Sequence, residues 1–216
     1  MTAYHKNLSL ISIYALLTAG ALGNVALEGP TVIIQATLLI MAAIGLTSWY
    51  LSFQFTAKSI GALIAVLLFI FLCMASGVNA GFPFGDYAFT NLAGPKVWDV
   101  PVVIPFAWLA ILIPAWIAPD RILRYQHLVV ASLVIVAFDA VLEFAADTMD
   151  LWHWRGGAPT ELTFISWFGI SYLSLSMLKK YSSPRESNAI VPHFLFAQLA
   201  YFFLTDVGTR FIVSHR

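Results

Sequence analysis

Four carboxylates, Asp139, Glu143, Asp147 and Asp150, follow one another at intervals of four, four and three residues inside an otherwise apolar stretch. On a helix they fall within about 80° of one another and climb about 16 Å, so they predict a ladder of acids on one face. Like charges at this spacing repel, and acids near a helix carboxyl end oppose its dipole. With burial added, these effects favour the protonated form of the deeper members, Asp139 and Glu143. The chemistry on offer is general acid catalysis: a neutral carboxylic acid in an apolar pocket, ready to give up a proton. Ionisable groups within a span point to function, whereas Asp147 and Asp150 fit a solvated helix end equally well. Asp206 and Arg210 read as an ion pair one helical turn apart.

A second segment bears on the same chemistry. Gly81-Phe82-Pro83-Phe84-Gly85-Asp86-Tyr87-Ala88-Phe89 leads on to Leu92-Ala93-Gly94-Pro95 and to Val100-Pro101-Val102-Val103-Ile104-Pro105-Phe106-Ala107-Trp108. Glycine and proline impose an irregular path, and the aromatic residues make it too apolar for an ordinary aqueous loop. Such a segment anchors in the membrane interface as an aromatic belt or caps a cavity. Because it faces the same side as the acids, a lid over them is expected.

The elements that must hold these groups are membrane helices. Of the 216 residues 60% are apolar and 10% charged, with a mean hydropathy of +0.84. A chain of that composition has lipid as its solvent. Apolar runs place about seven transmembrane helices near Leu8–Leu27, Thr31–Phe53, Ser59–Asn79, Pro101–Pro119, Tyr125–Ala146, Leu162–Leu178 and Ile190–Phe211. All should be helical, because lipid cannot satisfy an open backbone. The fourth carries Pro105 and Pro114 and is expected to bend. Gly29-Pro30, Gly156-Gly157 and Ser182-Ser183-Pro184 punctuate the connections. The fold class expected is therefore all-α, a polytopic helix bundle forming a single transmembrane domain over residues 1–216.

Charge placement gives the orientation. Lys6, Lys58, Arg121, Arg124, Lys179, Lys180 and Arg185 fall on one side, against Lys96, Arg155, Arg210 and Arg216 on the other. This bias predicts a plasma-membrane protein with a cytoplasmic amino terminus. Only Asp120 and Glu186 among the acids share the basic side, while Glu28, Asp86, Asp99, Glu161, Asp206 and the ladder lie in the outer half. Acids contribute little to orientation, so their crowding points to a site there. The formal net charge is zero, which argues against a nucleic-acid partner. The lone Cys73, and the absence of any paired-histidine spacing, give no metal-ligand pattern.

The two segments together resemble the integral-membrane carotenoid biosynthesis family that contains bisanhydrobacterioruberin hydratase and related carotenoid hydratases. The family phrase Phe-Pro-Phe-Gly-x-Tyr, Gly-Pro, Val-Pro-x-x-Ile-Pro-x-x-Trp stands here as Phe82 to Tyr87, Gly94-Pro95 and Val100 to Trp108. A second phrase runs through Asp139, Glu143-Phe144, Trp152-His153-Trp154, Gly156-Gly157, Pro159 and Thr163-Phe164-Ile165-Ser166-Trp167. Glu143-Phe144 replaces the family's Asp-Pro, and Thr163 replaces its Asn. The likeness covers roughly residues 77 to 170.

The resemblance implies hydration of a terminal carbon–carbon double bond in an acyclic carotenoid or related isoprenoid, with no cofactor and no metal. Protonating an isolated alkene needs a dry, neutral acid. The tertiary carbocation that results can rest against aromatic faces, for which Trp98, Tyr87, Trp108, Trp152, Trp154 and Trp167 are candidates, with Phe84 beside them. Glu143 or Asp139 is expected to donate the proton while the other tunes it. Asp86 and Thr163 are expected to place the water. His153 reads either as an interface residue or as the base that takes the water's proton. The expected partners are the hydrophobic isoprenoid substrate and membrane lipid.

Three rivals stand beside this. A terpenoid or carotenoid cyclase starts with the same protonation but captures the cation with an internal alkene. A retinal protein would need a Lys within a span, and the seventh has none. A small transporter would use the acids to bind protons or cations, although no internal repeat is visible.

Overall fold

The computed structural model describes residues 3–26, 31–123, 128–185 and 189–214, with side chains from 12 to 26, 32 to 118, 128 to 185 and 189 to 211. Gly29-Pro30, Glu28, Arg124, Tyr125, Glu186 and Arg216 lie outside the described residues, as do the side chains of Lys6, Asp120 and Arg121. Among the described residues the chain forms seven helices: α1 Ala3–Ala26, α2 Thr31–Ser52, α3 Ala57–Ala80, α4 Ile104–Leu123, α5 Leu128–Thr148, α6 Glu161–Tyr181 and α7 Val191–Ser214. Four of them, α2, α3, α5 and α6, are long and apolar enough to cross a membrane. Their outward faces carry large apolar side chains such as Leu39, Leu68, Leu133 and Leu173, all more than half exposed. This is the surface a lipid-solvated bundle presents. It is a membrane protein with an all-α bundle at its centre.

The bundle is built around α4. From Ala107 to Trp116 nearly every side chain is buried, leaving no outward face, as expected of a helix apolar all round. Helices α2, α7, α5, α3 and α6 pack around it, α2 most extensively. Pro105 sits in the first turn of α4, where its missing N–H costs little. The Gln198 amide donates to the Ala110 carbonyl at 2.9 Å and so ties α7 to this central helix.

The closeness of α2 and α4 rests on Gly45. A β-carbon there would stand 2.5 Å from the Phe106 carbonyl oxygen and 2.8 Å from the Ala110 nitrogen. These are backbone atoms that cannot swing aside. Gly45→Ala should therefore push the two helices apart and cost about 1–3 kcal/mol, as overpacking does. Thermal unfolding in detergent measures it, and an unchanged Tm would contradict the close crossing.

The departure from an all-helical chain lies at one end of the bundle. Residues 81–103 and 149–160 do not remain loops. Strand β1, Tyr87–Phe89, pairs antiparallel with β4, Trp152–Trp154, matching Tyr87 to Trp154, Ala88 to His153 and Phe89 to Trp152. Two further bonds, Thr90 N–H to Leu151 O at 3.0 Å and Arg155 N–H to Asp86 O at 3.0 Å, prolong the ladder at both ends. A hairpin, β2 Lys96–Val97 and β3 Val100–Pro101, turns through Trp98 and Asp99 at φ 47° and 61°, the paired left-handed geometry of a tight two-residue turn. Strands of two or three residues are too short for a period-two pattern to reveal.

The opposite end is clipped by backbone bonds between the α2–α3 and α6–α7 connections. Gln54 N–H donates to Ser183 O, and Arg185 N–H to Ser52 O, each at 2.8 Å.

Candidate functional site

The ladder on α5 is shorter than its spacing suggests. The helix ends at Thr148, and Asp150 takes a left-handed conformation at φ 54°. The Leu151 N–H reaches back to the Ala146 carbonyl at 2.9 Å, a helix stop of the Schellman kind with an Asp where glycine is usual. Asp150 therefore leaves the acid face, and its carboxylate pairs with His153 Nε2 at 2.5 Å in an exposed position. Asp147 is exposed at the helix end. The deeper pair is different: Asp139 is 1% exposed, and Glu143 stands one turn above it on the same face.

Both deeper carboxyls line a narrow chamber beneath the β1–β4 ribbon, with a cavity volume of about 30 Å³. The ribbon's alternation sends Trp152 and Trp154 into the chamber and His153 to the other side. Their indole N–H groups both donate to Glu143 Oε2, Trp152 at 3.0 Å and Trp154 at 2.7 Å. Two indole donors on one oxygen hold this side chain in a single pose. Asp139 has no such partner: its Oδ2 is buried and makes no hydrogen bond. Among the described residues, no ion pair reaches either carboxyl.

The remaining walls are aromatic. Trp108 and Trp167 stack with centroids 3.8 Å apart, and Phe84 leans on Trp167 at 4.7 Å. Tyr87 packs on Trp154 at 5.0 Å, and burial holds its phenol above the ordinary value, so it stays a protonated donor. That hydroxyl reaches the Met74 carbonyl at a long 3.4 Å. Helix α3 lets the lid come this close through Gly77, where a β-carbon would sit 2.6 Å from Phe84 Cδ2 and 2.9 Å from Tyr87 Cε1.

Thr163 and Asp86 stand elsewhere. Thr163 is wholly buried, but its hydroxyl donates to the Phe84 carbonyl at 2.7 Å and accepts from the Thr160 N–H at 3.2 Å. Ser166, one turn on, donates to the Pro83 carbonyl at 2.7 Å. These two hydroxyls tether the lid to α6 and do not line the chamber. Asp86 is half exposed, pairs with Arg155 at 3.2 Å and buttresses the ribbon from outside. Trp98 is 65% exposed and away from the chamber. Met74, Phe89 and Ile104 complete the lining; Phe89 and Ile104 belong to the lid segment read from the sequence, whereas Met74 looks like a generic apolar position.

Glu143, Trp152 and Trp154 also form the inner wall of a second, larger hollow. This groove holds about 1200 Å³ of space, including open solvent, and runs between Ala140 and Phe144 of α5 and Phe164 of α6. Its rim is polar, with Asp147, His153 and Arg210. Arg210 is fixed there by Asp206, Nε to Oδ1 at 2.8 Å, and the Thr148 hydroxyl donates to the same oxygen at 2.8 Å. The one-turn ion pair expected from spacing is present and joins α7 to the end of α5.

Among the described residues, no cluster of three or more His, Cys, Asp or Glu side chains has the arrangement of a metal site. The profile of a family described as carotenoid biosynthesis protein matches residues 30–213, nearly the whole chain and all of the chamber. The chain belongs to that family. No curated protein and no solved structure matches it. Membership in the carotenoid biosynthesis family assigns it a role in carotenoid biosynthesis, as an enzyme of carotenoid modification. It also gives the two phrases a physical meaning. The Phe82–Tyr87 phrase supplies the lid, the Trp152-His153-Trp154 phrase supplies the strand that pins Glu143, and Thr163 to Trp167 supply the tether and one stacked ring.

Proposed function

We propose that this member of the carotenoid biosynthesis family hydrates a terminal carbon–carbon double bond of an acyclic carotenoid, with Asp139 as the proton donor and Glu143 as the group that directs water. One observation carries this reading: the two carboxyls share an aromatic chamber but differ in surroundings. Asp139 is buried with an unpartnered oxygen, a setting in which a carboxyl is held neutral. Glu143 offers an oxygen that accepts two indole N–H bonds, which suits a carboxylate.

The steps balance without a redox partner. The Asp139 proton adds to the less substituted alkene carbon, and the π electrons leave a tertiary cation on the other. The faces of Trp108, Trp167 and Tyr87 stabilise that cation. Water attacks it, Glu143 accepts the water's surplus proton, and the product is a tertiary alcohol. The proton then returns from Glu143 to Asp139, its neighbour one turn below, and the site is reset.

Hydration is favoured over cyclisation because Glu143 borders both the chamber and the outer groove. Water arriving at the polar rim meets Glu143 before it meets the cation. A cyclase needs a pocket from which water is kept out.

The test is expression in cells that accumulate an acyclic carotenoid, with mass and chromatographic analysis of the pigments. The expected product is more polar and heavier by one water. A product of unchanged mass but altered retention would make the protein a cyclase, and unaltered pigment from well-expressed protein across several acyclic polyenes would sink both.

A further inference from the structure

The chamber, at about 30 Å³, has room for about one water. On the same measure the groove beside it has a cavity volume of about 590 Å³, within the range of sites that take an organic ligand. Glu143, Trp152 and Trp154 line both hollows and form the wall between them. A hydrocarbon bound for the carboxyls therefore has to rest in the groove until its end passes this wall.

The groove is continuous with the surface that meets lipid. Its floor on α5 runs from Ala140 to Asp147, about 10 Å of helix. Phe144 in that floor is 62% exposed. It lies on the same helix face as Ala140 and as Leu133, three turns back and itself 55% exposed. Leu133 is part of the apolar exterior, so a chain lying along this face runs into the groove without crossing water. Phe164 of α6 stands opposite, and Ala158 and Pro159 add to the apolar lining. At the far end Arg210 stands 6.0 Å over the Phe144 ring, held by its ion pair with Asp206. A long apolar ligand would thus have its body along Leu133 and Ala140 and its tip beside Glu143, stopped by the charged rim.

We propose that this groove is the binding site of the polyene chain, entered from the lipid along α5, and that Phe144 is the side chain that grips it. The choice of ligand rests on the hydration reading above. The lining also favours such a ligand over an ordinary acyl chain. Phe144, Trp152, Trp154 and Phe164 all border the groove, and flat rings stack on a flat conjugated chain better than on a flexible saturated one.

Occupancy can be read apart from turnover. On a Cys73→Ser background, which removes the single cysteine, a thiol is placed in the groove by Ala158→Cys or just outside its lining by Gly156→Cys. Both positions are exposed, and a β-carbon at Gly156 meets nothing within 4 Å. The purified protein in detergent is labelled with a maleimide, with and without one acyclic C40 polyene. At about ten times its Kd the polyene should slow labelling of Ala158→Cys about tenfold, by mass action, and leave Gly156→Cys unchanged. Adding Phe144→Ala, which truncates an exposed ring and leaves the core intact, should raise the half-protecting concentration about tenfold. In turnover the same change should raise KM more than it lowers kcat, as loss of ground-state binding does.

Hydration with protection at neither position overturns the groove and leaves the hydratase standing. Protection at both positions, or equal protection by a saturated hydrocarbon of the same length, also overturns the groove as a polyene site. Protection confined to Ala158→Cys with no hydration at all supports the groove and overturns the hydratase. Neither protection nor hydration overturns both.

Discussion

Asp139→Asn is expected to leave an acyclic carotenoid unconsumed while the protein melts at a nearly unchanged temperature. The activity side follows from the proton. The amide keeps the shape of the side chain and removes the only hydron that can be delivered to the alkene, so turnover should fall by about 10²–10⁴-fold, the range that general acid catalysis contributes. The stability side follows from the surroundings. Asp139 Oδ2 is buried without a hydrogen bond, and a buried, unsatisfied oxygen costs about 1–3 kcal/mol. The amide leaves a buried polar group in the same unpartnered position, so the fold should be little changed and lost turnover can be read as lost chemistry. Pigment analysis and thermal unfolding of the same preparation measure both. Full turnover in the variant would remove Asp139 from the mechanism, whatever its stability.

Glu143→Gln should have a comparable effect on product yield but for a different reason, which labelled water exposes. The amide oxygen can still accept from Trp152 and Trp154, so the ribbon stays in place, but no carboxylate remains to take the proton from water. About 10²-fold or more of hydration should be lost. Protonation by Asp139 is untouched. In D₂O a deuteron should add to the terminal alkene and the cation should then lose a hydron back to Asp139. Unreacted carotenoid recovered from Glu143→Gln should therefore carry deuterium at its terminal carbons, while carotenoid recovered from Asp139→Asn should carry none. Label in both variants, or in neither, would contradict the division of labour between the two acids.

The acid pair was legible in the sequence because a helix turns geometry into spacing: two carboxyls four residues apart within an apolar run share a face whatever surrounds them. The limit of that reasoning shows at Asp150. Three residues beyond Asp147 it belongs to the same arithmetic, but the helix has already stopped, and Met149 and Leu151 turn inward and are buried. Trp152 and Trp154 were visible as aromatic candidates, yet their link to Glu143 was not. Nine and eleven residues separate them from it, across a turn and a strand that only pairing with Tyr87–Phe89 defines. Thr163 looked like chemistry because it stands where the family phrase has a polar residue; its hydroxyl instead serves a backbone carbonyl 79 residues away. Long-range ties of this kind have no local signature. Met74 gave no signal of its own, since a buried methionine within an apolar helix is indistinguishable from core.

The pairing of Tyr87–Phe89 with Trp152–Trp154 also bears on biogenesis. The two halves of the ribbon leave the ribosome far apart, with α4 and α5 made between them. When Asp139 and Glu143 first reach the lipid, the indoles that will hold Glu143 have not yet been synthesised. A nascent chain halted before Trp152 would thus carry Glu143 without its two indole donors. Late closure of the ribbon would then be the event that fixes the pose of Glu143 and completes the chamber.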